Sequence, residues 1–438
     1  MPDPLLKIAI LGAGALPVSV GAFQDALLVH KLDGIEIALW DSDQAALYAT
    51  ADVARRFVQK SGLDVQITPH DDRPRAIDGA AYVLHAATDD AQPARFAADA
   101  RAIRSMVPHE TVSPLGGIAG IAQSLRQIRQ LQGVCAEIKQ AAADGATLLI
   151  VTDPVARLCQ AAHDEGVTAF GTSSSSLAAY AFVWQILHDE ETAYPFELPR
   201  SVLDLSTAGL NRLSFVLDLW DHDTGEDLYD RVKQIVAKGR HANAPLTAQF
   251  LIESGYLLAG GDACLQDLLP PTCEIPPHPA EDESHAARQR DRRLGALKAV
   301  GESKGPLEPL LALRSWERPI DFVAARSFDR PAGAIPGLNM RNTLQLPQLP
   351  RGAVVETPAI VDRTSIRPAH FMLPEKLLPM LHRATQLDDT IVRAARWSSE
   401  ELLAEAIDLD PAIADKQAAR IVLDHCLKSH ADLLPVFS

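Results

Sequence analysis

The chain opens on short apolar runs that alternate with longer amphipathic stretches. Lys7 to Leu11 is apolar, and Gly12-Ala13-Gly14-Ala15-Leu16-Pro17 follows at once. An apolar-periodic segment continues to about His30, and a second apolar run, Ile35 to Trp40, ends in Asp41. The alternation goes on with a helical stretch at Ala45–Gln59, short strands at Val65–Thr68 and Ala81–Ala86, and a long helix from Ile118 to Ala143. A strand at Ala146–Val151, a helix from Pro154 to about Glu165 and a strand at Val167–Phe170 complete it. Short apolar runs bounded by turn residues read as buried strands, and a period near 3.6 reads as helix. Strand and helix in turn predict a parallel sheet with helices on both faces. With six such strands by residue 170, the fold class is α/β, a Rossmann-type doubly wound unit.

The second half is less periodic. Val202–Thr207 and Leu213–Trp220 are expected strands, and Asp221–Gly225 a hairpin turn. Asp227–Lys238 and Leu246–Leu257 are expected helices, Pro270–Ser284 a surface loop and Val354–Ala359 a strand. Helices at about Glu375–His382, Leu387–Arg396, Ser399–Ala406 and Ala412–Lys428 close the chain.

The glycine turn carries the first candidate chemistry. Gly12 and Gly14 let the backbone approach a pyrophosphate, and the helix that opens at Ala15 and Leu16 offers unpaired N–H groups to it. Asp41, at the tip of the second strand, accepts from ribose hydroxyls and repels a 2′-phosphate, which favours NAD over NADP. The third glycine of the usual fingerprint is replaced by Pro17, and Asp41 stands later than the usual spacing of ~20 residues. Asp153, in Thr152-Asp153-Pro154 at the end of the fifth strand, lies at the same carboxyl edge, where ligands bind in such sheets.

Charge and cysteine usage narrow the partners. A formal net charge of −16 and a pI near 5.3 repel a nucleic-acid backbone on average, so no nucleic acid is expected. No apolar run reaches the ~18 residues of a membrane span, so no membrane partner is expected either. Met1-Pro2-Asp3-Pro4 lacks the basic start of a signal peptide, and Cys135, Cys159, Cys264, Cys273 and Cys426 form no C-x-x-C pair. Both observations lead us to expect a cytoplasmic protein.

Taken in order, the short motifs resemble glycoside hydrolase family 4, the NAD- and metal-dependent glycosidases with a lactate/malate dehydrogenase-like fold. They are the Gly-x-Gly start, Leu39-Trp40-Asp41-Ser42-Asp43, Glu110-Thr111 before Gly116-Gly117, and Thr152-Asp153-Pro154. Gly209-Leu210-Asn211, Gly261-Asp262, Val355-Glu356-Thr357-Pro358-Ala359 and Asp410-Pro411 follow. The resemblance implies a dinucleotide-binding domain over residues 1–172 and an α+β substrate-binding and oligomerisation domain over 173–438. It implies NAD as cofactor, a carbohydrate substrate, and a homodimer or homotetramer. The implied chemistry is transient oxidation at C3, loss of the C2 proton, elimination of the glycosidic oxygen, addition of water and return of hydride. A divalent metal, held by a Cys and a His, stabilises the enediolate in that scheme.

This sequence departs from the family at the metal ligands. Ser173-Ser174 stands where the family has Cys-His, and Asn211-Arg212 where it has Asn-His. Asp153 replaces the Asn of an Asn-Pro pair, Cys264 replaces a His, and only Asp321 or Phe322 lies in register with the Tyr that serves some members as base. Serine is a poor manganese ligand and arginine brings no lone pair, so no metal is expected. A guanidinium instead puts a fixed positive charge where the enediolate develops its negative charge. The catalytic candidates are therefore Arg212, Asp262 and Asp153. His109, Arg126 (with Arg129), Asn211 and Arg212 are candidates for holding the substrate, arginine being suited to a sugar acid's carboxylate. Plainer roles stand beside these: an ion-pair partner for Arg212, a helix cap for Asp153, a turn residue for Asp262, core packing for Cys264, and structural roles for His85 and His163. The alternatives to a metal-free glycosidase are an NAD-dependent sugar oxidoreductase and a non-catalytic dinucleotide- or sugar-binding protein.

Overall fold

The computed structural model describes residues 5–87, 91–108, 110, 112–188, 202–241, 243–266, 283–302, 306–311, 316–328 and 333–437. Six parallel strands form its first half: β1 (Leu6–Leu11), β2 (Ile35–Trp40), β3 (Val65–Pro69), β4 (Tyr82–His85), β5 (Thr147–Ile150) and β6 (Ala169–Thr172). Their spatial order is β3-β2-β1-β4-β5-β6, with β1 paired in parallel to both β2 and β4. The order reverses direction at β1, which opens a crevice at the carboxyl ends of β1 and β4. Alternation along β1 explains the two-sided burial. Ala9 and Leu11 join the apolar core on one face of the sheet, and Ile8 and Ile10 the core on the other.

Helices α1 (Leu16–Gln24), α2 (Gln44–Ser61), α3 (Arg73–Ile77), α4 (Gln92–Met106), α5 (Gly117–Ala141) and α6 (Val155–Asp164) connect these strands, and α7 (Ser175–Leu187) follows β6. Asp43 caps α2, its carboxylate accepting from the N–H groups of Ala45 and Ala46.

The sheet does not stop at β6. Strands β7 (Leu203–Leu210) and β8 (Leu213–Asp221) stand where strands were expected and pair as a hairpin that turns at Asn211-Arg212 and not at Asp221–Gly225, and β9 (Gly333–Arg341), β10 (Val354–Val361) and β11 (Ile366–Pro368) complete eleven strands. β9 runs antiparallel to β6, pairing Gly171 with Asn339, so one sheet carries both halves of the chain. β9 has no counterpart among the expected strands, because Pro336 and Gly337 interrupt its alternation. The helices expected at Glu375–His382 and Leu387–Arg396 are a short 3-10 turn and one helix, Leu378–Trp397, since Arg383-Ala384-Thr385-Gln386 contains no breaker. That helix lies against α5, with Leu387 and Ile391 in one core with Leu125 and Ile128. A buried Leu or Ile contributes about 1.5–3 kcal/mol, so this packing clamps the closing helices onto the first half. The loop expected at Pro270–Ser284 falls outside the described residues up to 282, and a helix runs over Glu283–Gly301. No helix among the described residues is long and apolar enough to cross a membrane.

Candidate functional site

The β1–α1 turn has the geometry of a dinucleotide cradle. Gly12 has φ of +85°, and a Cβ there would lie 2.4 Å from the Ala87 backbone nitrogen. Only glycine lets β1 and the end of β4 come this close. A Cβ on Gly14 would stand 2.9 Å from that of Ala46 and 3.1 Å from Asp41 Oδ2. Helix α1 begins at Leu16 with no side-chain cap and no acid in its first turn. Its N-terminus therefore keeps donors and a positive dipole end for an anion, and Pro17 falls where the missing N–H costs nothing. Asp41 is nearly buried, and it accepts from the N–H of Gly14 at 2.7 Å and of Asp43 at 2.8 Å. These bonds fix its carboxylate beside the glycine turn, where a ribose acceptor belongs. The residues present fit NAD.

The positions that carry metal ligands in the resemblance hold other partners: Arg212 meets Asp153, and Ser173 meets Ser175. Arg212 sits at the tip of the β7–β8 hairpin with φ of +62°. A left-handed backbone costs a non-glycine residue about 1–2 kcal/mol. Its Nη2 donates to Asp153 Oδ2, at the carboxyl end of β5. Asp153 makes no capping bond to α6, so its side chain serves the ion pair and not the helix. Ser173 Oγ donates to Ser175 Oγ at 3.0 Å. A guanidinium has no lone pair and Asp153 is already paired to a cation, so these residues do not fit a divalent metal. Among the described residues no group of three His, Cys, Asp or Glu side chains is placed to hold one.

Beside the pair opens a cavity of about 390 Å³ between the N-termini of α5 and α6, the hairpin tip and the helix Leu378–Trp397. Asn211, Arg212 and Cys264 line it, as do Arg157, Arg383, Asp388 and Asp410, which the sequence reading did not single out as site residues. Arg157 is buried, and its Nε donates to Asp388 Oδ1 at 2.6 Å. The two stand 231 positions apart, so no local pattern announces them. Burial raises the Asp410 carboxyl above the usual range, against bonds from the Gly117 and Ala412 N–H groups.

Behind Asn211 lies a second group that the sequence reading passed over. Glu356 on β10 is fully buried. It accepts from Asn339 Nδ2 at 2.9 Å, Ser214 Oγ at 3.2 Å and Asn211 Nδ2 at 3.4 Å. Burial pushes its carboxyl up, while these donors and Ser173 pull it down. A lone acid inside Val354-Val355-Glu356-Thr357, flanked by valines, was the available signal. It ties the loop bearing Ser173 to the hairpin bearing Asn211.

Several expected residues lie elsewhere. Arg126 is fully buried on α5 and donates through Nη1 to Asp99 Oδ2 at 2.6 Å, while His430 Nε2 bonds Asp99 Oδ1 at 2.9 Å. This network joins α4, α5 and the closing helix and does not line the cavity. Arg129 is exposed and donates to Gln132. Asp262 caps the helix Pro245–Ser254, accepting from the Leu246 N–H at 3.1 Å and the Thr247 N–H at 2.7 Å. Asp321 bonds His30 at 2.8 Å and pairs with Arg318, and Phe322 packs against Phe170 in the core. His109 lies outside the described residues. Cys264 is buried, and burial lowers the pKa of both His85 and His163 to about 4, in keeping with structural roles.

The chain is 23% identical over 456 residues to an alpha-galactosidase of Bacillus subtilis (strain 168), covering 98% of this chain and 99% of that protein. It is 23% identical over 434 residues to an alpha-glucosidase of Erwinia rhapontici, covering 92% and 93%. In structure it resembles a 6-phospho-alpha-glucosidase from gut microorganisms, solved with NAD and Mn2+, with a TM-score of 0.82, 16% identity and coverage of 99% and 100%. A 6-phospho-beta glucosidase from Thermotoga maritima, solved with NAD and glucose-6-phosphate, gives 0.78, 16%, 98% and 100%. The family 4 glycosyl hydrolase model matches residues 7–170 and the family 4 glycosyl hydrolase C-terminal domain matches residues 207–413, and with both halves matched the chain belongs to glycosyl hydrolase family 4.

Proposed function

We propose that this family 4 chain is an NAD-dependent glycoside hydrolase that cleaves a sugar or sugar-acid glycoside by transient oxidation and elimination, without a divalent metal. The observation that carries the reading is the Arg212–Asp153 pair at the carboxyl end of β5, beside the cavity. Held by the Gly12–Leu16 turn and Asp41, NAD supplies a hydride acceptor and later a hydride donor. Arg212 holds a fixed positive charge next to the place where sugar oxygens develop negative charge. One preorganised donor of this kind lowers a barrier by about 2.7–4 kcal/mol. Asp153 aims the guanidinium and is the carboxylate positioned to take a proton beside it. Asn211, held through its amide by Glu356, contributes polar contact to the substrate at the same edge. A cytoplasmic homodimer or homotetramer belongs to the same proposal, and light scattering reads its oligomeric state.

The test is turnover of a panel of neutral-sugar and uronic-acid glycosides by chelator-treated protein supplied with NAD. NAD-dependent release of the leaving group, insensitive to chelator, supports the proposal. Cleavage only with manganese contradicts it, and net NADH production without cleavage marks a sugar oxidoreductase. One observation favours a second reading. Asp153 and Arg212 satisfy each other and Asp262 is engaged as a cap, which suits a non-catalytic binding protein. NAD binding with neither cleavage nor NADH production identifies that case.

A further inference from the structure

The cavity beside Arg212 has already spent most of its polar groups. Arg212 bonds Asp153. Arg157 donates to Asp388 Oδ1 at 2.6 Å and through Nη1 to Ser124 Oγ at 2.7 Å. The Asp410 carboxylate accepts from the Gly117 N–H at 2.8 Å and the Ala412 N–H at 2.9 Å. Between these groups the wall is made of Leu115, Leu210, Leu213, Met380 and Leu387. A sugar ring entering here would give up water around its hydroxyls and find few open partners, whereas an apolar body gains by leaving water. At about 390 Å³ the cavity stands at the lower end of small-molecule pockets, ~300–1,000 Å³, which suits a ring and not an oligosaccharide. Arg383 is exposed in its lining and has no hydrogen-bond or ion-pair partner among the described residues, so an acidic substituent on that ring is attracted.

We propose that this cavity holds the leaving group of the glycoside, and that the leaving group is an apolar, aryl-type alcohol in place of a second sugar. The proposal rests on the glycosidase reading and specifies its substrate class. The sugar then lies toward Arg212, Asp153 and the cofactor turn, with the glycosidic oxygen at the mouth of the apolar wall.

The experiment titrates NAD-loaded protein with 4-nitrophenol by ligand-observed NMR and then adds glucose as a competitor. Saturable 4-nitrophenol binding that glucose does not displace is expected. Replacing Ala384, which lines the cavity, in the variant Ala384→Phe fills the space, and 4-nitrophenol affinity falls more than about tenfold with NAD affinity unchanged. Absence of saturable binding, displacement by glucose, or unchanged affinity in Ala384→Phe overturns the proposal. If Ala384→Phe does not fold, Leu387→Ala serves in its place, and the expected result is a severalfold loss; unchanged affinity overturns the proposal. Failure of wild-type protein to bind NAD counts against the glycosidase reading, while 4-nitrophenol binding alone decides what the cavity accepts.

Discussion

The guanidinium of Arg212 and the carboxylate of Asp153 form an ion pair across 59 positions of sequence, with side chains 28% and 31% exposed. Arg212 makes this contact from a left-handed backbone that glycine would adopt freely. Strain kept at a turn facing a cavity points to a use for the side chain. In Arg212→Gly the relieved backbone offsets the lost pair, so stability stays within about 1 kcal/mol of wild type. Turnover falls by about 10²–10³, the usual effect of removing one preorganised donor, and Arg212→Lys recovers part of it. Thermal melts and steady-state kinetics on the same samples check both halves.

Asp41 fixes the turn that is to receive the dinucleotide, through the Gly14 N–H at 2.7 Å. Asp41→Ala removes both that bond and the ribose acceptor. NAD affinity is expected to fall at least about tenfold, the equivalent of 1.4 kcal/mol, and the preference over NADP to shrink. Calorimetric titration of each cofactor reads the effect.

Glu356 gives a pH signature with a defined sign. Its folded pKa is raised above the 4.5 of an unfolded chain, with burial the leading cause. The protonated form is the one that folding favours. The associated stability is fully present below about pH 4.5 and is lost as pH rises through the higher folded value. Glu356→Gln cannot ionise, so its stability relative to wild type improves across that rise. Glu356→Ala leaves Asn339, Ser214 and Asn211 donors without an acceptor and costs about 1–3 kcal/mol. Chemical denaturation at a series of pH values separates the three proteins.

Asp99 is expected to matter for stability and not for binding. It is 1% exposed and holds the buried Arg126 and His430. Asp99→Ala strands the guanidinium without its counter-charge and costs about 3–5 kcal/mol. NAD affinity, measured well below the melting temperature, stays at the wild-type value. A selective loss of ligand binding would return Arg126 to the site.

The six parallel strands and the glycine turn were legible because their signals are local. A buried strand announces itself by an apolar run, and Gly12 by its place between strand and helix. β9 was not legible, since Pro336 and Gly337 erase its alternation, yet it joins the two halves of the sheet. Arg212, which stands in place of a metal-ligating His, and Asp153, which stands in place of an Asn, do meet. Their neighbours Arg157 and Asp388, and Glu356 with Asn211, are paired over 231 and 145 positions, distances at which sequence spacing carries no geometry. Arg126 and Arg212 are equally plausible anion binders as letters. Only the position of Asp99, on the preceding helix and facing into the core, makes one of them structural.

The central claim, a cofactor site kept while the metal site is replaced by a guanidinium, is tested most directly by calorimetry. Chelator-treated protein is titrated with NAD and then with manganese, and the Ser173→Cys/Arg212→His variant, which restores a thiolate and an imidazole, is run beside it. Saturable NAD binding to both proteins, no manganese binding to the wild type, and manganese binding to the variant are expected. Stoichiometric manganese binding to the wild-type protein would contradict it.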